Sequence, residues 1–135
     1  MGLFIKIYLI TLIVFFSIDF LWLGFIAAKL YREQLGFLMR DQIKWGPALL
    51  FYLLYVGGIL FFSLIPALEQ KSGLFALYSG ALLGLICYAT YDLTNLATLK
   101  DWPIKIVIYD LLWGTFLTGM TSLVSFWINS YLRKF

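Results

Sequence analysis

The sequence predicts an all-α fold: a polytopic membrane protein built as an antiparallel bundle of four transmembrane helices, which can also be viewed as two helical hairpins. Three observations carry this. The chain of 135 residues is 63% hydrophobic and 20% aromatic but only 13% charged, whereas soluble domains are about half apolar and about a quarter charged. A chain this short cannot hide so much apolar surface in a core surrounded by water. Its apolar residues also fall into four runs, each longer than the roughly 20 residues that cross a bilayer. The connections between runs are short, which makes sequential neighbours antiparallel. Four passes leave no room for a separate soluble domain, so residues 1–135 are expected to form one membrane domain.

The first run, residues 3–28, lies at the N-terminus but is too long for a signal-peptide core. It lacks a small-residue cleavage site before Lys29, and it reads as a retained helix. Residues 29–44 (KLYREQLGFLMRDQIK) carry four basic residues, with Leu30, Tyr31, Leu35, Leu38 and Met39 at near-helical spacing. That mixture predicts a segment lying at the membrane interface. The second run, 45–68, contains Gly57-Gly58, where a bend near mid-membrane is expected. A tight polar turn, Glu69-Gln70-Lys71-Ser72-Gly73, follows Pro66 and leads into the third run, 73–99. Lys100-Asp101-Trp102-Pro103 then leads into the fourth, 104–132.

Orientation follows from the basic residues. The first and third loops hold Lys29, Arg32, Arg40, Lys44, Lys100 and Lys105, against Lys6, Lys71, Arg133 and Lys134 at the termini and second loop. Six against four favours cytoplasmic first and third loops with both termini outside. Trp45, Trp102 and Tyr31 are expected in the interfacial aromatic belt, with Trp127 and Tyr131 as counterparts on the far side.

Composition also excludes chemistry. The chain has no His and a single Cys, Cys87, so haem-ligating His, zinc sites, Ser-His and Cys-His pairs and an intrachain disulfide are ruled out. No metal and no cofactor is expected. Cys87 reads as a small buried hydrophobe. No Lys lies mid-span to form a Schiff base. The expected partners are membrane lipids, with no nucleic acid.

The informative residues are acids. Asp19, Asp92 and Asp110 fall inside apolar runs, where each costs roughly 2.5 to 3.5 kcal/mol on insertion scales and marks a functional site by default. Asp19 precedes Lys29 by ten residues, Asp92 precedes Lys100 by eight and Asp110 follows Lys105 by five. At the helical rise those offsets put them roughly 15, 12 and 8 Å below one surface. All three therefore share one membrane half.

Helical spacing supplies their company. In the third run Tyr88, Asp92 and Asn95, with Tyr91 and Thr98, form a polar stripe. In the fourth, Asp110, Gly114, Thr118, Thr121 and Ser125 form a face suited to close helix contact. A ligand- or proton-binding cluster of Asp19, Trp22, Tyr52, Tyr55, Tyr88, Tyr91, Asp92, Asn95, Asp110 and Trp113 is expected in this half, with ordinary apolar packing in the other. Neighbouring buried carboxylates cannot all ionise cheaply, so at least one is expected to hold a proton. The bland alternative is that Tyr, Thr, Asn and indole groups bond the acids and simply lock the helices together.

Asp19-Phe-Leu-Trp22-Leu23 and Asp92-Leu-Thr-Asn95-Leu96 occupy equivalent places in the two hairpins, a short internal echo of the kind seen among transporters. The block Tyr91-Asp-Leu-Thr-Asn-Leu-Ala-Thr-Leu99, with Trp102-Pro103, Asp110-x-x-Trp113-Gly114 and Leu117-Thr118-Gly119, resembles domain-of-unknown-function family 2177. The likeness extends to Asp19-x-x-Trp22-Leu23-Gly24, to Tyr31-Arg32 with Leu35-Gly36, and to the stretch from Pro47 to Tyr55. Members of that family are small bacterial membrane proteins with four predicted helices. The resemblance implies a bacterial inner-membrane location and a shared site, and no assigned reaction.

Three functions stay open on sequence. In the first, the chain binds or transports a small organic or lipid-like ligand in exchange for protons. Asp92 and Asp19 are then the proton-linked pair, Asn95 and Tyr88 the ligand donors, and Trp22 and Trp113 the stacking surfaces. Small transporters of this kind work as dimers, and the Gly/Thr/Ser face of the fourth helix is a candidate homodimer interface. The second is a membrane-embedded enzyme in lipid modification, which needs an external group or electron donor. Tyr91-Asp92 and Tyr109-Asp110 resemble fragments of intramembrane aspartyl proteases, but the Gly-x-Gly-Asp element is absent. The third is an accessory subunit that holds a partner through residues 29–44. Without the three intramembrane acids, ten basic residues face four acidic ones, a surface nearer +6 than the overall +3, suited to anionic lipid headgroups.

Overall fold

The computed structural model describes residues 1–133; Lys134, counted above among the basic residues of the termini, lies outside the described residues. Four helices are long and apolar enough to cross a membrane: α1 (Gly2–Leu38), α2 (Trp45–Gln70), α3 (Gly73–Thr98) and α4 (Ile104–Leu132). Large apolar side chains such as Phe25, Phe61 and Leu112 stand fully outward, as expected where lipid is the solvent.

The closest pair is α3 with α4. Gly80 and Gly84, a Gly-x-x-x-Gly element, face Gly114, Thr118 and Gly119 across the contact. A Cβ on Gly80 would stand 2.8 Å from the Thr118 carbonyl oxygen, and one on Gly84 would collide with the Gly114 carbonyl. Small residues here let two backbones touch, which is how membrane helices gain dispersion contact and shed lipid. The Gly/Thr/Ser face of α4 is therefore buried inside the chain against α3, and it is not free for the subunit contact expected of it.

Two turns set the remaining geometry. At the end of α2, Lys71 adopts the left-handed conformation (φ 55°). Its N–H bonds to the Leu68 carbonyl and that of Ser72 to the Ala67 carbonyl, a Schellman ending. Ser72 then caps α3 by accepting from the Phe75 N–H at 3.0 Å. Before α4, Asp101 is also left-handed (φ 60°), a conformation Asp tolerates better than most residues.

The structure corrects three expectations. First, α1 does not end near Lys29. It passes through a π-helical turn at Leu23–Ala27 and continues as regular helix over Ala28–Leu35. No helix breaker occurs between Lys29 and Gly36, and Leu30, with Tyr31 and Leu35, packs on Trp102, Ile106 and Val107 at the start of α4. Second, Gly57-Gly58 does not bend α2; the helix is regular through Ile59, and the departure is a π-helical turn just beyond, at Leu60–Leu64. Third, the half of the bundle away from the acids is not plainly apolar. Ser63 Oγ lies 2.6 Å from both Ser79 Oγ and Ser122 Oγ, and Thr121, Ser125 and Asn129 are buried beside this group.

The two halves of α2 pack differently. Residues 60–70 lie against α3, while the backbone of 45–59 leans on α1 and scarcely approaches α3 or α4. The α2–α3 hairpin thus opens from its tight turn toward the end that carries the acids.

Candidate functional site

The expected cluster resolves into three carboxylates with different surroundings. Asp19, on α1, is buried. The Tyr52 hydroxyl donates to one oxygen and the Trp113 indole N–H to the other, each at 3.4 Å. Trp22, one turn along α1, stacks on Trp113 with ring centroids 4.7 Å apart and planes 11° from parallel. The two indoles thus spend one face each on the other.

Asp110, on α4, accepts a hydrogen bond from the Tyr31 hydroxyl. The continuation of α1 past Lys29 is what brings Tyr31 there. This corrects the assignment of Tyr31 to the interfacial belt: its ring lies on the Leu30 side of α1 against α4, and its hydroxyl is committed to a buried acid.

Asp92, on α3, has no exposed surface, and neither of its oxygens has a hydrogen-bond partner. The Trp102 indole N–H comes near enough to act on the carboxyl as a hydrogen-bond donor, but not in a geometry that makes a bond. Its Nε1 also lacks a partner of acceptable geometry. Trp102 was expected in the interfacial belt, but it is only 8% exposed. The left-handed Asp101 reverses the chain and folds the indole back onto the bundle, edge-on to Tyr91 at 5.7 Å.

The aromatic residues join these acids. Tyr55 is buried, with its hydroxyl 2.6 Å from Thr118 Oγ1. Tyr88 packs its ring on Gly114 and 6.4 Å from Tyr55, within electrostatic range of both Asp19 and Asp92. Tyr91 is exposed and Asn95 half-buried on the same side of α3. Where α2 and α3 diverge, Phe51, Cys87, Tyr88 and Tyr91 line a cleft of about 310 Å³. Cys87 is exposed there, not buried as its apolar run suggested. Among the described residues, no three acids come close enough together to hold a metal ion, and no Lys or Arg pairs with any of the three.

The family model described as a predicted membrane protein, DUF2177, matches residues 4–127. The chain belongs to that family. No curated protein and no solved structure matches it. The matched region contains every acid and aromatic group of the DUF2177 chain's site, together with Tyr31, Trp102 and Thr118, the three contacts that sequence reasoning missed. Signals for two of them were present. The breaker-free stretch 28–35 carries the helix through Tyr31, and Asp101 before Trp102-Pro103 marks a chain reversal. Thr118 reads as one of the small, hydroxylated residues of the fourth helix, and spacing gives its hydroxyl no partner.

Chemically, Asp19 and Asp110 have their donors supplied by the protein. Asp92 does not. A buried group with open acceptor capacity, behind the Tyr88 and Tyr91 that line the cleft, is where an incoming hydrogen-bond donor or cation gains most.

Proposed function

We propose that the chain binds a small amphipathic molecule drawn from the bilayer, with the cleft between α2 and α3 as its seat and Asp92 as the group that engages its polar head. The observation that carries this reading is the Asp92 carboxyl, fully buried and without a hydrogen-bond partner. Leaving such a group unsatisfied costs about 1–3 kcal/mol in proteins, which a hydroxyl or ammonium headgroup would recover. Phe51, Tyr88 and Tyr91 offer apolar walls, and their ring faces suit a cationic head. Lateral entry fits the ligand class, because the cleft lies between membrane helices.

Proton-coupled transport of that molecule in the bacterial inner membrane is the activity this arrangement serves best. Asp92 exchanges a proton for the headgroup, and the segments 29–44 and 100–103 face the cytoplasm. Native mass spectrometry of the protein released from its own membranes tests the binding step. Wild type should carry a stoichiometric small amphiphile that Asp92→Ala lacks. Identical bulk lipid on both proteins would defeat the proposal.

A further inference from the structure

The buried hydroxyl and amide side chains of α4 form a second feature, independent of any ligand at Asp92. Thr118, Thr121, Ser122, Ser125 and Asn129 are all buried and recur at helical spacing in line with Asp110. From Asp110 to Asn129 this line runs about 28 Å, close to the ~30 Å thickness of a bilayer core.

Several polar side chains of the spans are tied to the carbonyl four residues back, Asn129 of this line to Ser125 O among them. Thr11 bonds to Ile7 O at 2.8 Å, Thr90 to Ile86 O at 2.7 Å and Thr115 to Leu111 O at 2.7 Å. Thr121 Oγ1 and Ser125 Oγ are different: both are fully buried and neither has a partner. A hydroxyl in that position calls for a mobile donor or acceptor, which in a protein interior is water. Neighbours three or four residues apart stand about 5–6 Å from each other, the separation one bridging water fills.

Both ends of the line lead somewhere. At the far surface the residues next to Ser125 and Asn129 in sequence, Phe126, Trp127 and Ser130, line a cleft of about 620 Å³ together with Leu68, Lys71 and Arg133. In the middle, Ser122 joins Ser63 and Ser79. At the inner end, Thr118 meets the Tyr55 hydroxyl, and Tyr88 follows, within electrostatic range of Asp19 and Asp92.

We propose that this column holds a file of water molecules and carries protons between the far-surface cleft and the carboxylate half of the bundle. Each hydroxyl or water accepts one proton and passes another on, so one charge moves and no residue is altered. Lys71 and Arg133 in the lining of that cleft disfavour entry of metal ions, which must pass whole, while a proton moves by bond exchange.

Proteoliposomes with a trapped pH dye and a potassium diffusion potential test the route. Wild type should take up protons well above empty liposomes. The near-isosteric Thr121→Val/Ser125→Ala variant should lose most of that flux, and Thr11→Val, whose hydroxyl is tied to its own helix, should keep it. Wild-type liposomes as tight as empty ones, or equal flux in the double variant, would overturn the proton route. Water-edited solid-state NMR on the wild type tests the file without any mutation. Thr121 and Ser125 Cβ should receive magnetisation from water about as fast as Ser130, and transfer as slow as at Leu117 would overturn it.

Discussion

Replacing Asp92 by Ala should make the bundle more stable, which is the reverse of what removal of a structural lock does. In SDS-driven unfolding the denatured side chain is hydrated at the micelle surface, so the comparison is between a solvated carboxyl and a buried one. Asp92 is wholly buried with both oxygens unpartnered, a burden of about 1–3 kcal/mol. Truncation to Ala leaves a void of roughly 20 Å³, which costs about 0.5 kcal/mol. The net expectation is a gain of about 0.5–2.5 kcal/mol. Asp19→Ala is the internal control. It removes two hydrogen bonds, from Tyr52 and Trp113 at 3.4 Å each, and strands both donors, for a loss of about 1–2 kcal/mol. Reversible SDS titration with helicity as the signal should therefore move the two midpoints in opposite directions. If Asp92→Ala destabilises as much as Asp19→Ala, Asp92 is a structural residue and the reasoning fails.

Other expectations use the same assay or simple labels. Gly84→Ala should cost about 1–3 kcal/mol by overpacking, because its Cβ would run into the Gly114 carbonyl and stand 2.7 Å from Thr118 Oγ1. Gly58→Ala, in open space, should instead gain about 0.5–1 kcal/mol; equal effects would contradict the α3–α4 contact. Tyr31→Phe should lose about 1 kcal/mol and show a non-additive cycle with Asp110→Ala, whereas additivity would place Tyr31 back at the interface. A nitroxide on Cys87, which is exposed on the cleft between α2 and α3, should be relaxed by oxygen and shielded from a water-soluble nickel chelate. Strong relaxation by the chelate would take this part of α3 out of the bilayer.

Much of the fold was legible because its physics is one-dimensional. Run length against bilayer thickness gives the helices, and acids inside apolar runs mark a site whatever surrounds them. Asp19 does meet Tyr52 and Trp113, as residues at one depth on neighbouring helices can, but spacing put them only in one half of the bundle and did not give this pairing. What spacing could not show was competition between a membrane surface and a protein surface for the same amphipathic segment. The Leu30–Leu35 face suits headgroups, yet Trp102, Ile106 and Val107 supply a better apolar partner. Tyr31 therefore reaches Asp110. Trp102 shows the same limit: a Trp in a loop between spans looks like a belt residue until one left-handed residue before it turns the side chain inward. The serine group of Ser63, Ser79 and Ser122 was missed because each is unremarkable on its own helix and becomes a cluster only when three helices meet. The Gly80-x-x-x-Gly84 element is visible in the sequence as a close-contact pattern, but it was passed over in favour of the polar stripe of the third run.

The central claim is that Asp92 receives its hydrogen-bond donor from a molecule seated between α2 and α3. The most direct measurement is an experimental density map of the protein purified in its own lipids. The account predicts non-protein density within hydrogen-bonding distance of the Asp92 carboxyl, running out between Phe51 and Tyr91. A Trp102 indole N–H bonded to that carboxyl, with the cleft closed by side chains, would contradict it.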